Sequence, residues 1–212
     1  MNPLLFVVLS YLLGAVPTSF WVGMAIYGVD LRHKGSGNLG ATNALRVLGW
    51  KAALPVVLVD VAKGFVPVWL FPQLDPAPWS WALAYGAAAI LGHVFSVWVR
   101  FKGGKGVATS SGVFLGLAPW AVLAGFAVWT ITVTLTRIVS LGSVLAALTI
   151  PVAVWLLPHD GGQSLLAFTG ALAVFVIWAH RTNLGRLLRG EEHRFGKGPD
   201  RHVVPPFEAG DR

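Results

Sequence analysis

The chain contains no cysteine, and this absence removes several kinds of chemistry at once. Disulfide bonds, thiolate nucleophiles and metal sites with cysteine ligands are all excluded. Charged residues are also scarce, because Asp, Glu, Lys and Arg make up only 12% of the sequence, against about 25% in soluble domains. With 55% hydrophobic residues and a mean hydropathy of +0.68, the 212 residues predict one integral membrane domain whose apolar surface faces lipid.

Positive charge is missing from two connections between hydrophobic runs, Pro72–Pro78 and Pro158–Gln163. Fifteen of the sixteen Lys and Arg residues lie in four other segments: Asp30–Lys51, Arg100–Gly106, Thr136–Ser140 and the tail from His180. All four fit on one side of a membrane, which the positive-inside rule makes the cytoplasm. Charge placed in this way suits anionic headgroups and anionic substrates, and does not indicate nucleic-acid binding.

Hydrophobic runs of roughly spanning length occur six times. They are Pro3–Tyr27, Ala52–Phe71, Trp79–Val99, Trp120–Leu135, Leu141–Leu157 and Ser164–Ala179. A further run, Val107–Ala118, is short, and Pro119 favours a helix break after it. Seven spans place the N-terminus outside and every basic segment inside, whereas six would strand eight basic residues on the opposite face. We therefore predict an all-α protein of seven transmembrane helices with a short fourth helix and a cytoplasmic C-terminus.

The two ends of the chain carry separate predictions. The first run has no basic start and no clear cleavage site, so we interpret it as a spanning helix rather than a signal peptide. Residues 1–198 are predicted to form a single membrane domain. Residues 199–212 are short, contain Pro and charges, and lack periodicity, so they predict a flexible cytoplasmic tail.

Glycine, amide and hydroxyl residues crowd the sequence GSGNLGATNALR at Gly35–Arg46. Its G-x-G-x-x-G pattern does not indicate a dinucleotide site, because no strand precedes it and Asp60, twenty residues beyond Gly40, falls inside a predicted span. Converging backbone N–H groups and the planar guanidinium of Arg46 nevertheless suit a phosphate group. The uncharged donors beside them are Ser36, Asn38 and Asn43. A tight interfacial turn with basic flanks is the alternative explanation.

A second loop rich in Gly and Lys, RFKGGKGVAT at Arg100–Thr109, opens a predicted helix. It is not a Walker A motif, because Gly106 stands where that motif requires Ser or Thr. Backbone donors at a helix N-terminus favour an anion, with Lys105 as a point charge, although a simple basic loop also fits. His93, within the third span, is interpreted as a hydrogen-bonding residue rather than a catalyst.

Polar residues also occur within and just after the spans. Asp60 and Lys63 are three residues apart on one helix and can pair, either for function or to fix helix packing. His180 and Asn183 share a face if the last helix continues, and such a pair can abstract a proton or bind an oxyanion. A juxtamembrane basic anchor explains the nearby arginines but leaves His180, Asn183 and Glu192 unexplained.

Together these segments resemble one family, the bacterial acyl-phosphate-dependent glycerol-3-phosphate acyltransferases (PlsY type). The matching segments are GSGNLGATNALR at Gly35–Arg46, GHVFSVWVRFKGGKGVAT at Gly92–Thr109, HRTNLGRLLRGEE at His180–Glu192, Asp60-x-x-Lys63-Gly64 and Ser140–Ser143. Ser96 departs from the family, which usually has proline there. The resemblance implies acyl transfer from acyl phosphate to the 1-hydroxyl of glycerol 3-phosphate, at a site facing the cytoplasm on the bacterial plasma membrane.

The resemblance also implies roles for single residues. His180 and Asn183 would orient the attacking hydroxyl or stabilise the tetrahedral oxyanion. His180 could also be the general base, and the substrate phosphate is the alternative proton acceptor. Ser36, Arg46 and Lys105 complete the catalytic set. Residues assigned to phosphate or substrate binding are Gly37, Asn38, Asn43, Gly103, Gly104, Gly106, Ser143 and Glu192. The predicted partners are acyl phosphate, glycerol 3-phosphate and membrane lipid; no cofactor, metal, nucleic acid or obligate protein partner is predicted.

Two other functional classes fit parts of the pattern. An anion transporter suits a basic multi-span protein, but transporter sites lie near the membrane midplane between repeated halves, and only Asp60 and Lys63 are deep here. A lipid-binding scaffold without catalysis leaves the placement of His180 and Asn183 unexplained. The His-x-x-x-x-Asp pattern of another acyltransferase class is absent, since no histidine is followed by Asp five residues later.

Overall fold

The computed structural model describes residues 2–74, 79–196 and 204–206, and every regular element in these ranges is helical. The α-helices are α1 (Pro3–Ala15), α2 (Thr18–Tyr27), α3 (Ala41–Leu48), α4 (Trp50–Leu74), α5 (Ser80–Val94), α6 (Val107–Leu117), α7 (Pro119–Thr136), α8 (Val139–Leu156), α9 (Gly162–Ala179) and α10 (Arg181–Leu188). Short 3-10 helices occupy Leu31–His33 and Val97–Val99. The predicted all-α class is confirmed for this part of the chain.

Six helical segments of the described ranges are long and apolar enough to cross a membrane. They are Pro3–Tyr27, Trp50–Leu74, Ser80–Val99, Pro119–Thr136, Val139–Leu156 and Gly162–Ala179, and each overlaps one predicted span. Helix α6 is separate from α7, with Pro119 at the first position of α7 as expected. The 11 residues of α6 extend for about 16 Å, which is shorter than the roughly 30 Å hydrocarbon core of a bilayer. The seventh crossing therefore stays a prediction.

The first span is not the continuous helix that its hydrophobicity predicts. Helix α1 ends at Ala15 and α2 begins at Thr18, with Val16 and Pro17 outside helical geometry. Proline has no N–H to donate and disfavours a helical conformation in the residue before it, which explains the break. The carbonyl of Val16 accepts hydrogen bonds from the Thr18 N–H at 3.0 Å and from Lys63 Nζ at 2.7 Å.

Helices α4 and α6 pack with their backbones in contact. A Cβ atom added at Gly64 would overlap the carbonyl of Thr109, and one added at Gly112 would overlap the carbonyl of Val61. Glycine at both positions therefore permits the close approach that small residues allow between membrane helices. Because α6 begins directly after the Gly/Lys loop, this contact holds that loop in a fixed place beside α4.

The predicted tail, residues 199–212, lies outside the described residues except for 204–206. The boundary predicted at residue 198 lies outside them as well. In the part that is described, the Val204 N–H donates to the carbonyl of Val47 at 3.1 Å. Val204 also packs on the buried apolar cluster that includes Ala44 and Leu48, so this short stretch returns to the surface of α3.

Candidate active site

A cavity of about 720 Å³ opens among α3, α4 and the helices from α6 to α10. Its polar end brings together segments distant in the sequence, and its remaining walls are mainly apolar, although Asp60 of α4 and His93 of α5 also line it. The predicted site residues that line it are Ser36, Asn38, Asn43, Arg46, Lys105, Gly106, Ser143, His180, Asn183 and Glu192. Gly37, Gly103 and Gly104 were assigned to the same site but are not among its lining residues.

Asn43 holds the first glycine-rich loop against α3. Its Oδ1 accepts hydrogen bonds from the Ser36 backbone N–H at 2.8 Å and from Arg46 Nη1 at 3.4 Å. Its Nδ2 donates to the carbonyls of Leu31 and Lys34 at 3.2 and 3.0 Å. Both ends of this buried carboxamide are therefore engaged within the protein. This geometry supports a positioning role for Asn43 instead of the predicted contact with phosphate.

Gly37 forms the turn between two residues that line the cavity. Its φ of +70° lies in the left-handed region that favours glycine, and its N–H donates to the carbonyl of Lys34 at 3.0 Å. The N–H is thus used inside the turn and is not directed to an anion. This residue shapes the loop that presents Ser36 and Asn38 to the cavity, and its part in binding substrate stays a prediction.

Gly103 and Gly104 dock the second loop onto the end of α5. The Gly103 N–H donates to the Val94 carbonyl at 2.9 Å, and the Gly104 N–H donates to the His93 carbonyl at 3.1 Å. A Cβ atom at either glycine would collide with His93. The two N–H groups are therefore occupied and the residues serve close packing, while their approach to phosphate stays a prediction. Gly106, with φ of +80°, precedes α6 and does line the cavity.

A chain of hydrogen bonds connects the polar groups from three segments. Lys105 Nζ donates to Asn183 Oδ1, and Asn183 Nδ2 donates to Glu192 Oε1 at 2.5 Å. The same Glu192 oxygen accepts from Ser140 Oγ at 2.7 Å, while Arg186 Nε donates to Glu192 Oε2 at 2.8 Å. The Glu192 carboxylate thus fixes the orientation of the Asn183 carboxamide, whose oxygen in turn holds the Lys105 ammonium.

Sequence reasoning did not assign Ser140 and Arg186 to the site. Both line the cavity and both donate to the Glu192 carboxylate. A signal was present, because Arg186 follows Asn183 by three residues and Ser140 precedes Ser143 by three, so each shares a helix face with an assigned residue. Ser143 also lines the cavity, and its hydroxyl donates a hydrogen bond to the Val139 carbonyl at 3.0 Å. Its role as a hydrogen-bond donor to phosphate stays a prediction.

The charges at the polar end are set by burial and by the hydrogen-bond chain. Burial lowers the pKa of Lys105 to about 8, against the opposing effect of the Glu192 carboxylate. Burial also acts to raise the pKa of Glu192, but hydrogen bonds from Asn183, Ser140 and Arg186 outweigh it, so this pKa lies below its usual value. Near pH 7 the site therefore contains an ammonium group, which is mostly protonated, and a carboxylate that is ionised.

His180 is buried where α9 meets α10. Its Nδ1 lies 2.8 Å from the carbonyl oxygen of Val176. A carbonyl only accepts, so Nδ1 carries the hydrogen, and in the neutral ring Nε2 is the acceptor. Burial lowers the pKa of His180 to about 4, and the positive charge of Lys105 adds to the effect. The imidazole is therefore neutral near pH 7 and is a weak base.

A second polar cluster lies deeper, on α4 and α5. The predicted Asp60–Lys63 pair forms, with Oδ1 and Nζ 2.7 Å apart and both side chains 2% exposed. Thr18 Oγ1 donates to Asp60 Oδ1 at 3.1 Å, Lys63 Nζ reaches the Val16 carbonyl, and His93 Nδ1 lies 3.8 Å from Asp60 Oδ1. The cluster ties the break between α1 and α2 to α4 and α5, as the packing explanation requires, and Asp60 and His93 also line the cavity, as the functional explanation requires.

Comparison with known proteins gives consistent matches over most of the chain. The family described as glycerol-3-phosphate acyltransferase matches residues 4–190. The glycerol-3-phosphate acyltransferase of Chlorobaculum tepidum is 39% identical over 224 residues, which cover 91% of this chain and 96% of that protein. The one from Synechococcus sp. (strain JA-3-3Ab) is 48% identical over 188 residues, covering 89% of this chain and 91% of the relative.

Two solved structures have a similar fold. Both are crystal structures of PlsY, described as an integral membrane glycerol 3-phosphate acyltransferase. The glycerol 3-phosphate form has a TM-score of 0.85 and 36% identity, covering 92% of this chain and 96% of the other. The lysophosphatidic acid form has a TM-score of 0.83 at the same identity, covering 92% and 95%.

Proposed function

The chain belongs to the glycerol-3-phosphate acyltransferase family, and we propose that its acyl donor is acyl phosphate and its product 1-acyl-glycerol 3-phosphate. In this reaction the 1-hydroxyl of glycerol 3-phosphate attacks the acyl carbonyl, and inorganic phosphate leaves. One observation carries the proposal. The cavity joins a cationic, amide-rich end to apolar walls, as a substrate with a phosphate at one end of a fatty chain requires.

Cations approach the polar end of the cavity from different elements. Arg46 comes from α3 beside the loop that carries Ser36, Lys105 comes from the loop before α6, and Arg186 comes from α10. Both proposed substrates carry phosphate, so two anionic groups must be neutralised close together. Guanidinium forks and a compact ammonium group are the side chains best suited to bind phosphate oxygens.

Acyl phosphate is an activated donor, so positioning and charge stabilisation suffice without a covalent acyl-enzyme. Attack by the hydroxyl forms a tetrahedral oxyanion, and its collapse breaks the bond to the phosphate oxygen. Lys105 and Asn183 are hydrogen-bonded to each other at the polar end. Asn183 Nδ2 retains one hydrogen beyond the one donated to Glu192, so both side chains are suited to stabilise the oxyanion.

The hydroxyl proton requires an acceptor. His180 offers Nε2, but a pKa of about 4 makes it a poor proton acceptor near pH 7. A phosphate monoester, whose second pKa is about 6, is the stronger base. We therefore assign to His180 the orientation of the hydroxyl through Nε2, and to the phosphate of glycerol 3-phosphate the acceptance of the proton.

This assignment predicts the pH profile of a His180→Ala variant. We expect its kcat/KM for glycerol 3-phosphate to fall about a hundredfold from misorientation of the hydroxyl. The fall in kcat/KM at acid pH, centred near pH 6 where the substrate phosphate becomes protonated, should occur in both proteins, because the substitution does not change that group. An acid limb near pH 4 in the parent protein that disappears in the variant would instead assign the proton to His180. Re-assay at pH 7 after each acid incubation controls for inactivation.

The donor is tested by acyl transfer with purified protein in lipid, glycerol 3-phosphate and either acyl phosphate or acyl-CoA. We expect lysophosphatidate from acyl phosphate alone. Product from acyl-CoA alone would overturn the donor assignment and leave the acyltransferase intact. No product from either donor, with protein that unfolds cooperatively, would favour the anion-transporter alternative, which uptake into sealed vesicles without donor then tests.

For the membrane arrangement we propose seven crossings in the bacterial plasma membrane, with α6 as the short fourth one and the active site at the cytoplasmic face. The support is the charge distribution: Arg46, Lys105, Arg137 and Arg186 lie on segments outside the spans that seven crossings place on one side.

The absence of cysteine allows a direct test of this orientation. A membrane-impermeant maleimide should label Asp160→Cys in intact spheroplasts and Arg189→Cys only after permeabilisation; the reverse pattern would overturn the orientation.

A further inference from the structure

The apolar part of the cavity runs along α8, away from the polar end. Ser140 and Ser143 line the cavity near the start of this helix, and Ala147 and Ile150 line it farther along. From Ser143 to Ile150 the axis of a helix advances about 10 Å. The antiparallel helix α7 contributes lining residues from Trp129 back to Val122, over the same length. An apolar channel therefore continues from the polar groups into the bundle.

This channel ends at packed side chains. Ile150 is the lining residue of α8 farthest from the polar end. It packs against a buried cluster made of Phe114, Ala118, Ala121, Ala153, Val154 and Leu165, of which Phe114 also lines the cavity. An occupant of the channel that extends along α8 thus meets the side chains of Ile150 and Phe114 at this end.

Gly125 of α7 supports the side chain of Ile150 from the opposite helix. A methyl group added at Gly125 would lie 2.9 Å from Ile150 Cδ1, 3.4 Å from Ile150 Cγ1 and 3.5 Å from the Ala146 carbonyl. The first two atoms belong to a side chain that can rotate, and Gly125 and Ile150 both line the cavity. Glycine at 125 therefore gives Ile150 room to lie back against α7, and a larger residue pushes it into the channel.

We propose that Ile150, seated on Gly125, limits the length of the acyl chain that the enzyme accepts. The inference rests on the proposed function, because it takes the acyl chain of the donor as the occupant of the channel. Each buried methylene contributes about fourfold to binding. A chain whose end fits in front of Ile150 gains this contribution for every methylene, whereas a longer chain must bend or leave one end outside.

The channel has one open side, which defines the competing outcome. Leu123 and Phe126 line the cavity on α7 and are 53% and 62% exposed, so they also face the surrounding lipid. A long chain that leaves the channel between these two side chains would not reach Ile150. Its length would then have no effect on turnover.

The test compares kcat/KM for saturated acyl phosphates of 10 to 18 carbons. We expect Ile150→Ala to favour longer chains and Gly125→Ala to favour shorter ones, each shifting the ratio between the extremes about tenfold. The double variant should lose the effect of Gly125→Ala, because the methyl group at 125 acts through Ile150. Ala127→Val is the matched control on α7, since residue 127 is exposed and does not line the cavity.

The outcomes separate this inference from the proposed function. Unchanged length profiles in variants that remain active would overturn the role of Ile150 and indicate the lateral exit. If Gly125→Ala shifted the chain-length preference equally in the parent protein and in the Ile150→Ala variant, the proposal would also be overturned, because the two residues would then act independently. Absence of acyl transfer from every acyl phosphate in the parent protein would refute the donor assignment itself.

Discussion

Replacing Lys105 by methionine is expected to lower kcat for acyl transfer about 10²- to 10³-fold, the effect of removing one donor from an oxyanion site. Lys105 is half-buried, lines the cavity and donates to Asn183 Oδ1. Methionine keeps the length of the side chain and removes its charge. The loss also leaves the negative charge of Glu192 without one of its nearby cations, next to incoming phosphate groups.

Lys102→Met is the matched control for this variant. Lys102 belongs to the same Gly/Lys loop, but it is exposed and does not line the cavity. Its replacement should change kcat less than twofold, because an exposed charge is screened by solvent. The measurement is kcat and KM for both substrates at pH 7 in lipid. If Lys105→Met retained more than a tenth of the parent kcat, the proposed role of this ammonium group would be refuted.

The pKa of Lys105, about 8 because of burial, adds a pH dependence to the prediction. Deprotonation removes the charge, so kcat/KM should fall as the pH rises through about 8. Arginine remains charged at this pH. A Lys105→Arg variant with measurable activity should therefore lose the alkaline limb. An alkaline limb that persists unchanged in this variant would assign the limb to another group.

The sequence could predict the membrane spans and the gathering of the polar segments for one physical reason. Lipid forces each apolar run into a helix, so the loops between helices are brought to the two faces of the membrane. Segments around Arg46, Lys105 and Asn183 therefore met at one end of the bundle, although long stretches of chain separate them. Glu192 was assigned to the site, but its hydrogen bond with Ser140 was not predicted, because a contact between residues 52 positions apart depends on how α8 packs against the segment after α10.

The roles of individual glycines and amides were harder to predict. Glycine is selected both where backbone must approach a ligand and where it must approach another helix, and the sequence does not distinguish the two. Gly103 and Gly104 belong to the second case, since they meet His93 on α5. Asn43 likewise has the same side chain whether it binds phosphate or holds a loop. Only its hydrogen bonds to four residues of the folded protein show that Asn43 holds the first glycine-rich loop.

Replacing Asp60 by asparagine is expected to destabilise the folded protein by about 3–5 kcal/mol, the usual cost of breaking a buried ion pair. Lys63 is 2% exposed, and its ammonium group lies 2.7 Å from Asp60 Oδ1. Asparagine still accepts a hydrogen bond, but it leaves the positive charge of Lys63 uncompensated in the membrane interior. The measurement is the free energy of unfolding in a denaturant titration of protein in mixed micelles.

The double variant Asp60→Asn/Lys63→Met separates charge from packing. It removes both charges, so most of the stability should return. A deficit of about 0.5–1.5 kcal/mol should remain, because the Val16 carbonyl loses the hydrogen bond from Lys63 but keeps the one from the Thr18 N–H. Lys51→Met, at an exposed position of the same helix, should change stability by less than about 0.5 kcal/mol. A double variant as unstable as Asp60→Asn would show that the pair acts through shape and not through charge compensation.

The same variants also connect the deep cluster to catalysis. His93 lies 3.8 Å from Asp60 Oδ1, and its carbonyl accepts the hydrogen bond from the Gly104 N–H that docks the loop of Lys105. If the cluster fixes this loop, folded Asp60→Asn protein should have a lower kcat than its folded fraction explains, and the double variant should recover kcat together with stability. Recovery of stability without recovery of kcat would mean that Asp60 affects the loop by a route other than the ion pair.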